Sequence, residues 1–254
     1  MPRPRSGSTV RPPRPRIAAI AAITGTAVTA LLISGCAPDP GSAADAAGGA
    51  APTFAAPVPT PNPTSKTANR LRVTTVGDSL MSGYGLDLGQ AWPTLLADKE
   101  HITLTNLACG GMGFVVSGDC GTPYAGLVPA LAALQPDVVI VQSSSNDFGE
   151  DPDDIRSETI TTVQEMHDAA PDARIIGLST IWNDDADLPD DVASTSDDLR
   201  IAVGMVDGVF LDVGQPLSGH ADWMQADDVH PTPRGQQAIE HAVLTSLQGA
   251  GILP

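Results

Sequence analysis

The sequence predicts a three-layer α/β sandwich, a parallel sheet with helices on both faces. Three observations predict it. Five short runs rich in Val, Ile and Leu recur along the C-terminal two-thirds of the chain. The runs are nearly continuous in apolar residues, as strands covered on both faces must be, where a half-exposed strand would alternate. The stretches between them are long enough for helices, and several carry helical spacing. Strand and helix in alternation imply parallel strands joined by right-handed crossovers.

The predicted strands are Leu71–Val76, Ile102–Leu107, Asp137–Gln142, Arg174–Ser179 and Gly208–Val213. Between the first two, Gln90–Lys99 carries Trp92, Leu95 and Leu96 as a helix. Pro123–Gln135 follows with Leu127, Leu131 and Leu134. Pro152–Ala170 opens with proline and acids, which suit a helix N-terminus. Asp190–Val206 has the weakest helical pattern, and Arg234–Leu247 closes the chain. In such sheets ligands sit beyond the carboxyl ends of the strands, so chemistry is expected just after each run.

The segment before the first strand has a different composition. Residues 1–16 are rich in Arg and Pro, residues 17–33 are small and apolar, and Ser34-Gly35-Cys36 follows. A basic stretch, an apolar stretch and a small-residue exit form a secretory signal pattern. The Cys after Ser-Gly resembles the lipobox of bacterial lipoproteins. That resemblance implies cleavage before Cys36 and diacylglycerol on its thiol, hence an extracytoplasmic protein lipid-anchored to the bacterial cell membrane. An uncleaved membrane helix is the alternative, although 17 residues only just span a bilayer. No Arg-Arg pair supports a twin-arginine signal. Residues 36–69, dominated by Ala, Pro, Gly, Ser and Thr, read as a tether, which leaves 70–254 as one folded domain.

Of 13 Lys and Arg, five lie in the first sixteen residues, and the other eight face all 30 acids. So acidic a body repels phosphate backbones, which argues against nucleic acid as a partner and against membrane binding by charge.

Four strand-end segments carry candidate chemistry: Gly77-Asp78-Ser79, Ala108-Cys109-Gly110-Gly111, Ser144-Ser145-Asn146-Asp147 and Asp227-Asp228-Val229-His230. A nucleophile needs a base, the base needs an orienting carboxylate, and the developing oxyanion needs donors. Ser79 would attack, His230 would take its proton, and Asp227 would hold the imidazole in the right tautomer. The backbone N–H groups of Ser79 and Gly111 and the amide of Asn146 would form the oxyanion hole. A Gly-x-Ser-x-Gly elbow is absent, because Met81 stands where its second glycine would be.

In order and spacing these segments resemble the blocks of an SGNH hydrolase of the GDSL esterase/lipase superfamily, over essentially the whole domain. The departure is Ser144, where the third block normally has glycine; serine is small enough to leave the Asn146 geometry intact. The resemblance implies a flavodoxin-like fold of five parallel strands, no metal or other cofactor, and hydrolysis of carboxylic esters through an acyl-enzyme.

Trp182 and Asn183, after the fourth strand, and Trp223 and Met224, before Asp227, are candidates to line the substrate pocket, with ordinary packing as the alternative. His101, His167, His220 and His241 make no metal-ligand spacing. The acids Asp184, Asp185, Asp187, Asp190 and Asp191 read as a solvated loop. With Cys36 assigned to lipid, Cys109 and Cys120 form an even pair in an exported domain and favour a disulfide around the Gly111 loop; two free buried thiols are the alternative. The expected protein is a monomeric esterase acting on a small or polymeric acyl ester, such as O-acetylated carbohydrate or cell-wall polymer. An acyltransferase to a sugar hydroxyl and a catalytically silent binding lipoprotein are the rivals.

Overall fold

The computed structural model describes residues 70–253, so the signal segment, Cys36 and the tether at 36–69 lie outside the described residues. The described chain runs β1 (Arg72–Val76), α1 (Ser79–Ser82), α2 (Trp92–Glu100), β2 (Thr103–Asn106), α3 (Val128–Leu134), β3 (Val138–Gln142), α4 (Pro152–Ala169), β4 (Arg174–Leu178), α5 (Asp190–Met205), β5 (Val209–Leu211) and α6 (Pro233–Gly249). The five strands form one sheet in the order β2-β1-β3-β4-β5, and every neighbouring pair is parallel. This is the predicted three-layer α/β sandwich with flavodoxin-like strand order.

The side-chain alternation of the buried strands divides the core in two. Val138 and Ile140 of β3, with Ile176 and Leu178 of β4, meet Leu96 of α2 and Ile239, Val243 and Leu247 of α6. Val139, Val141 and Ile175 point to the other face, against Leu131 of α3, Val163 and Met166 of α4, and Leu199 and Val203 of α5. Burying each such side chain contributes about 1.5–3 kcal/mol, and together they fix the sheet on which the site stands.

All five strands and four of the five helices lie where the sequence places them, with ends shifted by up to two residues; α3 starts five residues later than predicted. The predicted helix Pro123–Gln135 is divided: Tyr124–Leu127 form a 3-10 turn before α3. Pro129 lacks the N–H that a continuous helix would donate backward at that point, which accounts for the break. The one-turn α1 has no apolar periodicity and is not visible in the sequence; Asp78 caps its start, and Gly83, at φ +75°, ends it.

Strand order sets up the site. Val76 lies opposite Val141, so the chain segments leaving β1 and β3 emerge side by side. The register of β1 with β2 pairs Thr75 with Asn106 and brings the segment after β2 to the same edge.

Candidate active site

Ser79 is the first residue of α1, and its side chain is almost buried. The Asp78 carboxylate accepts a 2.9 Å hydrogen bond from the Leu80 N–H through Oδ1, fixing the turn. A Cβ on Gly77 would lie 2.5 Å from Met81 Sδ, so the chain can turn this tightly only at glycine. Asn106 braces the same turn: its Nδ2 donates to the Met81 carbonyl at 3.0 Å, while its Oδ1 accepts from Thr75 Oγ1 at 2.9 Å. The Ser79 N–H has no partner among the described residues.

The loop carrying Gly111 is closed by the Cys109–Cys120 disulfide, as the sequence reading favoured. Restricting so short a loop contributes roughly 3 kcal/mol in the chain-entropy account. Gly111 is left-handed, at φ +73°, and its N–H too has no partner among the described residues. The loop is held from inside by Asp147, whose carboxylate accepts from the N–H groups of Phe114 (2.7 Å), Val115 (3.0 Å) and Val116 (3.1 Å). A side chain on Gly113 would occupy the place of that carboxylate. The adjacent Asn146 donates through Nδ2 to the Met112 carbonyl at 3.0 Å. A primary amide has two N–H donors, so one remains for a ligand.

His230 and Asp227 lie in the loop before α6. His230 Nδ1 is 2.7 Å from Asp227 Oδ2, and Asp227 Oδ1 accepts from the His230 N–H at 3.0 Å and the Val229 N–H at 3.1 Å. These bonds, the His230 backbone N–H foremost, hold the Asp227 carboxyl well below the usual carboxylate range. Its charge is therefore present above about pH 4 and is lost only as pH falls through that lower value. The pair is open to water, with side-chain exposures of 17% for His230 and 43% for Asp227. The turn is tight enough to place Asp228 at φ +56°.

The N–H groups of Ser79 and Gly111 and one N–H of the Asn146 amide are left without protein partners among the described residues. With Nδ1 engaged by Asp227, the imidazole presents Nε2 as its free nitrogen.

Several functional contacts escaped the sequence reading. Asp78 is buried, and burial raises its carboxyl above the ordinary value, against the opposing hydrogen bond from Ser144. The Ser144 hydroxyl donates to Asp78 Oδ2 at 2.6 Å and accepts from the Asn146 N–H at 3.1 Å. The Tyr124 hydroxyl lies beside Ser144 without making a hydrogen bond of acceptable geometry; burial and the two carboxylates, Asp78 and Asp147, push it well up. The Tyr84 ring packs on the His230 ring at 4.4 Å, and Gln225 ties the Tyr84 carbonyl to the His230 loop at 2.9 Å. Gln236, on α6, accepts from the Trp92 N–H at 2.8 Å and donates to the Leu80 carbonyl at 2.9 Å, so the helix after His230 is pinned to the turn at Ser79. A buried carboxylate must find donors, and Asp147 beside Asn146 was the one legible signal of this set.

Trp182 and Asn183 line a cavity of about 40 Å³ with Leu80, Ser145, Ile181 and Val229. Its lining includes Leu80, Ser145 and Val229, the chain neighbours of Ser79, Asn146 and His230, and none of those three residues themselves. Trp223 and Met224 do not line it. Trp223 is sandwiched between His220, at 3.6 Å, and Arg234, at 5.1 Å, and Met224 is buried and bridges to Pro231, so both brace the loop's base. A larger cleft of about 440 Å³ lies at the ends of β4 and β5, lined by Thr180, Asp190, Arg200 and Phe210 among others, and contains none of the predicted site residues. Among the described residues no His, Cys, Asp and Glu are grouped to hold a metal ion, and no helix is long and apolar enough to cross a membrane.

Fold and site together describe an α/β hydrolytic enzyme with its machinery at the carboxyl edge of a parallel sheet. Residues 75–238 match the GDSL-like Lipase/Acylhydrolase family, and the chain belongs to it. It is similar to a GDSL lipase of Mycobacterium tuberculosis, with 29% identity over 198 residues, covering 70% of this chain and 83% of that protein. The esterase EstA of a Pseudoalteromonas species, solved with monoethylphosphonate as inhibitor, shares the fold at a TM-score of 0.56 and 20% identity, covering 70% of this chain and 97% of that one. The salicylyl-acyltransferase SsfX3 of a tetracycline biosynthetic pathway does so at 0.60 and 20% identity, over 74% of this chain and 57% of the other.

Proposed function

We propose that the protein is a serine esterase that hydrolyses short-chain carboxylic esters through an acyl-enzyme on Ser79. The observation that supports this reading is the 2.7 Å contact of His230 Nδ1 with Asp227 Oδ2, which leaves Nε2 free in a loop tied to the Ser79 turn through the stacking of Tyr84 on His230. His230 Nε2 takes the Ser79 proton as Oγ bonds to the ester carbon. The N–H groups of Ser79, Gly111 and Asn146 hold the oxyanion, each donor contributing on the order of 3 kcal/mol. As the tetrahedral intermediate collapses, the bond to the alcohol oxygen breaks and His230 returns the proton to the departing alcohol. Water, deprotonated by His230, then releases the acid and frees Ser79.

The cavity beside the reacting centre supports a short acyl group. About 40 Å³ is room for roughly three waters, a size that suits acetyl or propionyl. The alcohol would face open, acid-rich surface, which suits a neutral, hydroxyl-bearing partner such as an O-acetylated carbohydrate or cell-wall polymer. Water reaches the His230–Asp227 pair directly, which favours hydrolysis over transfer to a sugar hydroxyl. The reading includes export and lipid attachment at Cys36, and the Cys109–Cys120 bond supports an oxidising compartment.

The test is hydrolysis of p-nitrophenyl esters of increasing acyl length by the full chain and by Ser79→Ala, with and without glycerol as acceptor. Activity on acetate that falls steeply beyond butyrate, unchanged acid release with glycerol, and no turnover by folded Ser79→Ala are the expected results. Retained activity in folded Ser79→Ala rejects the nucleophile.

A further inference from the structure

Ser144 stands where the resemblance leads one to expect glycine, yet nothing in its backbone asks for glycine: φ is −114° and ψ 141°, extended values open to any residue. Its side chain is 1% exposed, so its hydroxyl must be satisfied within the protein. A hydroxyl has one donor and two acceptor lone pairs. Here the donor goes to Asp78 Oδ2 at 2.6 Å, the short distance typical of a hydroxyl meeting a carboxylate. A lone pair receives the Asn146 N–H at 3.1 Å.

The two partners belong to different parts of the machinery. Asp78 caps the one-turn helix that begins with Ser79. Asn146 lies in the 3-10 turn Ser145–Asp147 and carries the candidate side-chain donor to the oxyanion. One buried oxygen therefore spans the turn after β1 and the turn after β3.

We propose that Ser144 is a positioning residue whose hydroxyl couples the nucleophile turn to the oxyanion asparagine, holding Ser79 and Asn146 in the mutual geometry that the transition state requires. The proposal rests on the esterase reading above. A serine's attack and an amide's stabilisation of the resulting oxyanion must be registered to a fraction of an ångström, and a misplacement of about 1 Å costs up to about a hundredfold in rate. Ser144 touches neither the ester nor the reacting atoms in this scheme and acts through its two partners.

The experiment measures kcat and KM for p-nitrophenyl acetate on the full chain and on Ser144→Ala, Ser144→Gly, Ser144→Thr and Ser79→Ala, with thermal midpoints recorded for all. Ser144→Ala and Ser144→Gly are expected to lose about tenfold in kcat while KM stays within twofold, and Ser144→Thr, which keeps the hydroxyl, to recover most of that loss. The rate at which a phosphonate ester labels Ser79 should fall in parallel. A kcat within twofold of the parent in folded Ser144→Ala or Ser144→Gly overturns the proposal, as does a loss carried by KM or an equal loss in Ser144→Thr. If Ser144→Ala does not fold, Ser144→Gly decides alone. An active, folded Ser79→Ala overturns the esterase reading itself. An inactive Ser79→Ala with fully active Ser144→Ala overturns only the positioning role.

Discussion

The two halves of the candidate site are built in opposite ways. The half after β1, β2 and β3 is buried and cross-braced: Asp78, Ser144 and Asp147 are inside the protein, and their hydrogen bonds run between segments far apart in sequence. The half before α6 is a short exposed loop, and among the described residues Asp227 bonds to Val229 and His230 within it. The proposed nucleophile and oxyanion donors thus take their geometry from the folded core. The proposed base and its carboxylate take theirs from a local turn, supported by Tyr84, Gln225 and Asn183 at its edges. Damage to the first half should therefore reach stability as well as catalysis, whereas damage to the second should reach catalysis alone.

The largest expected effect is on the exposed half. His230→Ala should lower kcat by about 10⁴-fold or more, and Asp227→Asn by less, because it removes orientation and charge while the base remains. Both thermal midpoints should stay within about two degrees of the parent, as for surface substitutions. Equal losses in the two variants would mean that another group orients the imidazole. A large fall in either midpoint would break the contrast between the halves.

The buried half is tested by Asp147→Ala. It strands three backbone donors of the Gly111 loop, one buried and two half-buried, and a buried donor left unpaired costs about 1–3 kcal/mol. An unfolding free energy lower by about 3–5 kcal/mol is expected in urea denaturation, together with a fall in kcat. Unchanged stability would show that the loop is held by its disulfide alone.

The smallest effect sharpens the contrast through pH. Burial raises the Asp78 carboxyl, so its contribution to stability is complete below the ordinary carboxylate value of about 4 and is lost as pH rises through the higher folded value. Asp78→Asn keeps a capping oxygen and does not titrate. Its thermal midpoint should gain on the parent by about one or two degrees between pH 4 and pH 8. Asp227, depressed and exposed, should give Asp227→Asn no such gain. A gap for Asp78→Asn that narrows with rising pH contradicts the assignment.

The same division decided what the sequence could reveal. Strands and long helices were legible because burial on both faces of β3 and β4 leaves continuous Val, Ile and Leu. The Asp227–His230 pair was legible because it is local, three residues apart in one turn. The braces of the buried half were not. Ser144 to Asp78, Asp147 to the loop at 114–116, and Gln236 to Leu80 join residues 31 to 156 positions apart through polar side chains with no periodicity. Serine in place of glycine read as a passive change of size, since its hydrogen bond to Asp78 exists only once β1 and β3 are paired. Trp223 and Met224 are pocket candidates only by proximity to Asp227 along the chain, with ordinary packing as the alternative; in the fold Trp223 stacks on His220 and Arg234, and Met224 is buried.

The central claim is that Ser79 forms the covalent intermediate at the meeting of these halves. The most direct measurement is mass spectrometry of the full chain after reaction with a phosphonate ester, followed by peptide mapping. The account predicts one adduct per chain, on Ser79, absent from Ser79→Ala and formed far more slowly in His230→Ala. An adduct on Ser144 or Ser145, or an active enzyme that takes no label, would contradict it.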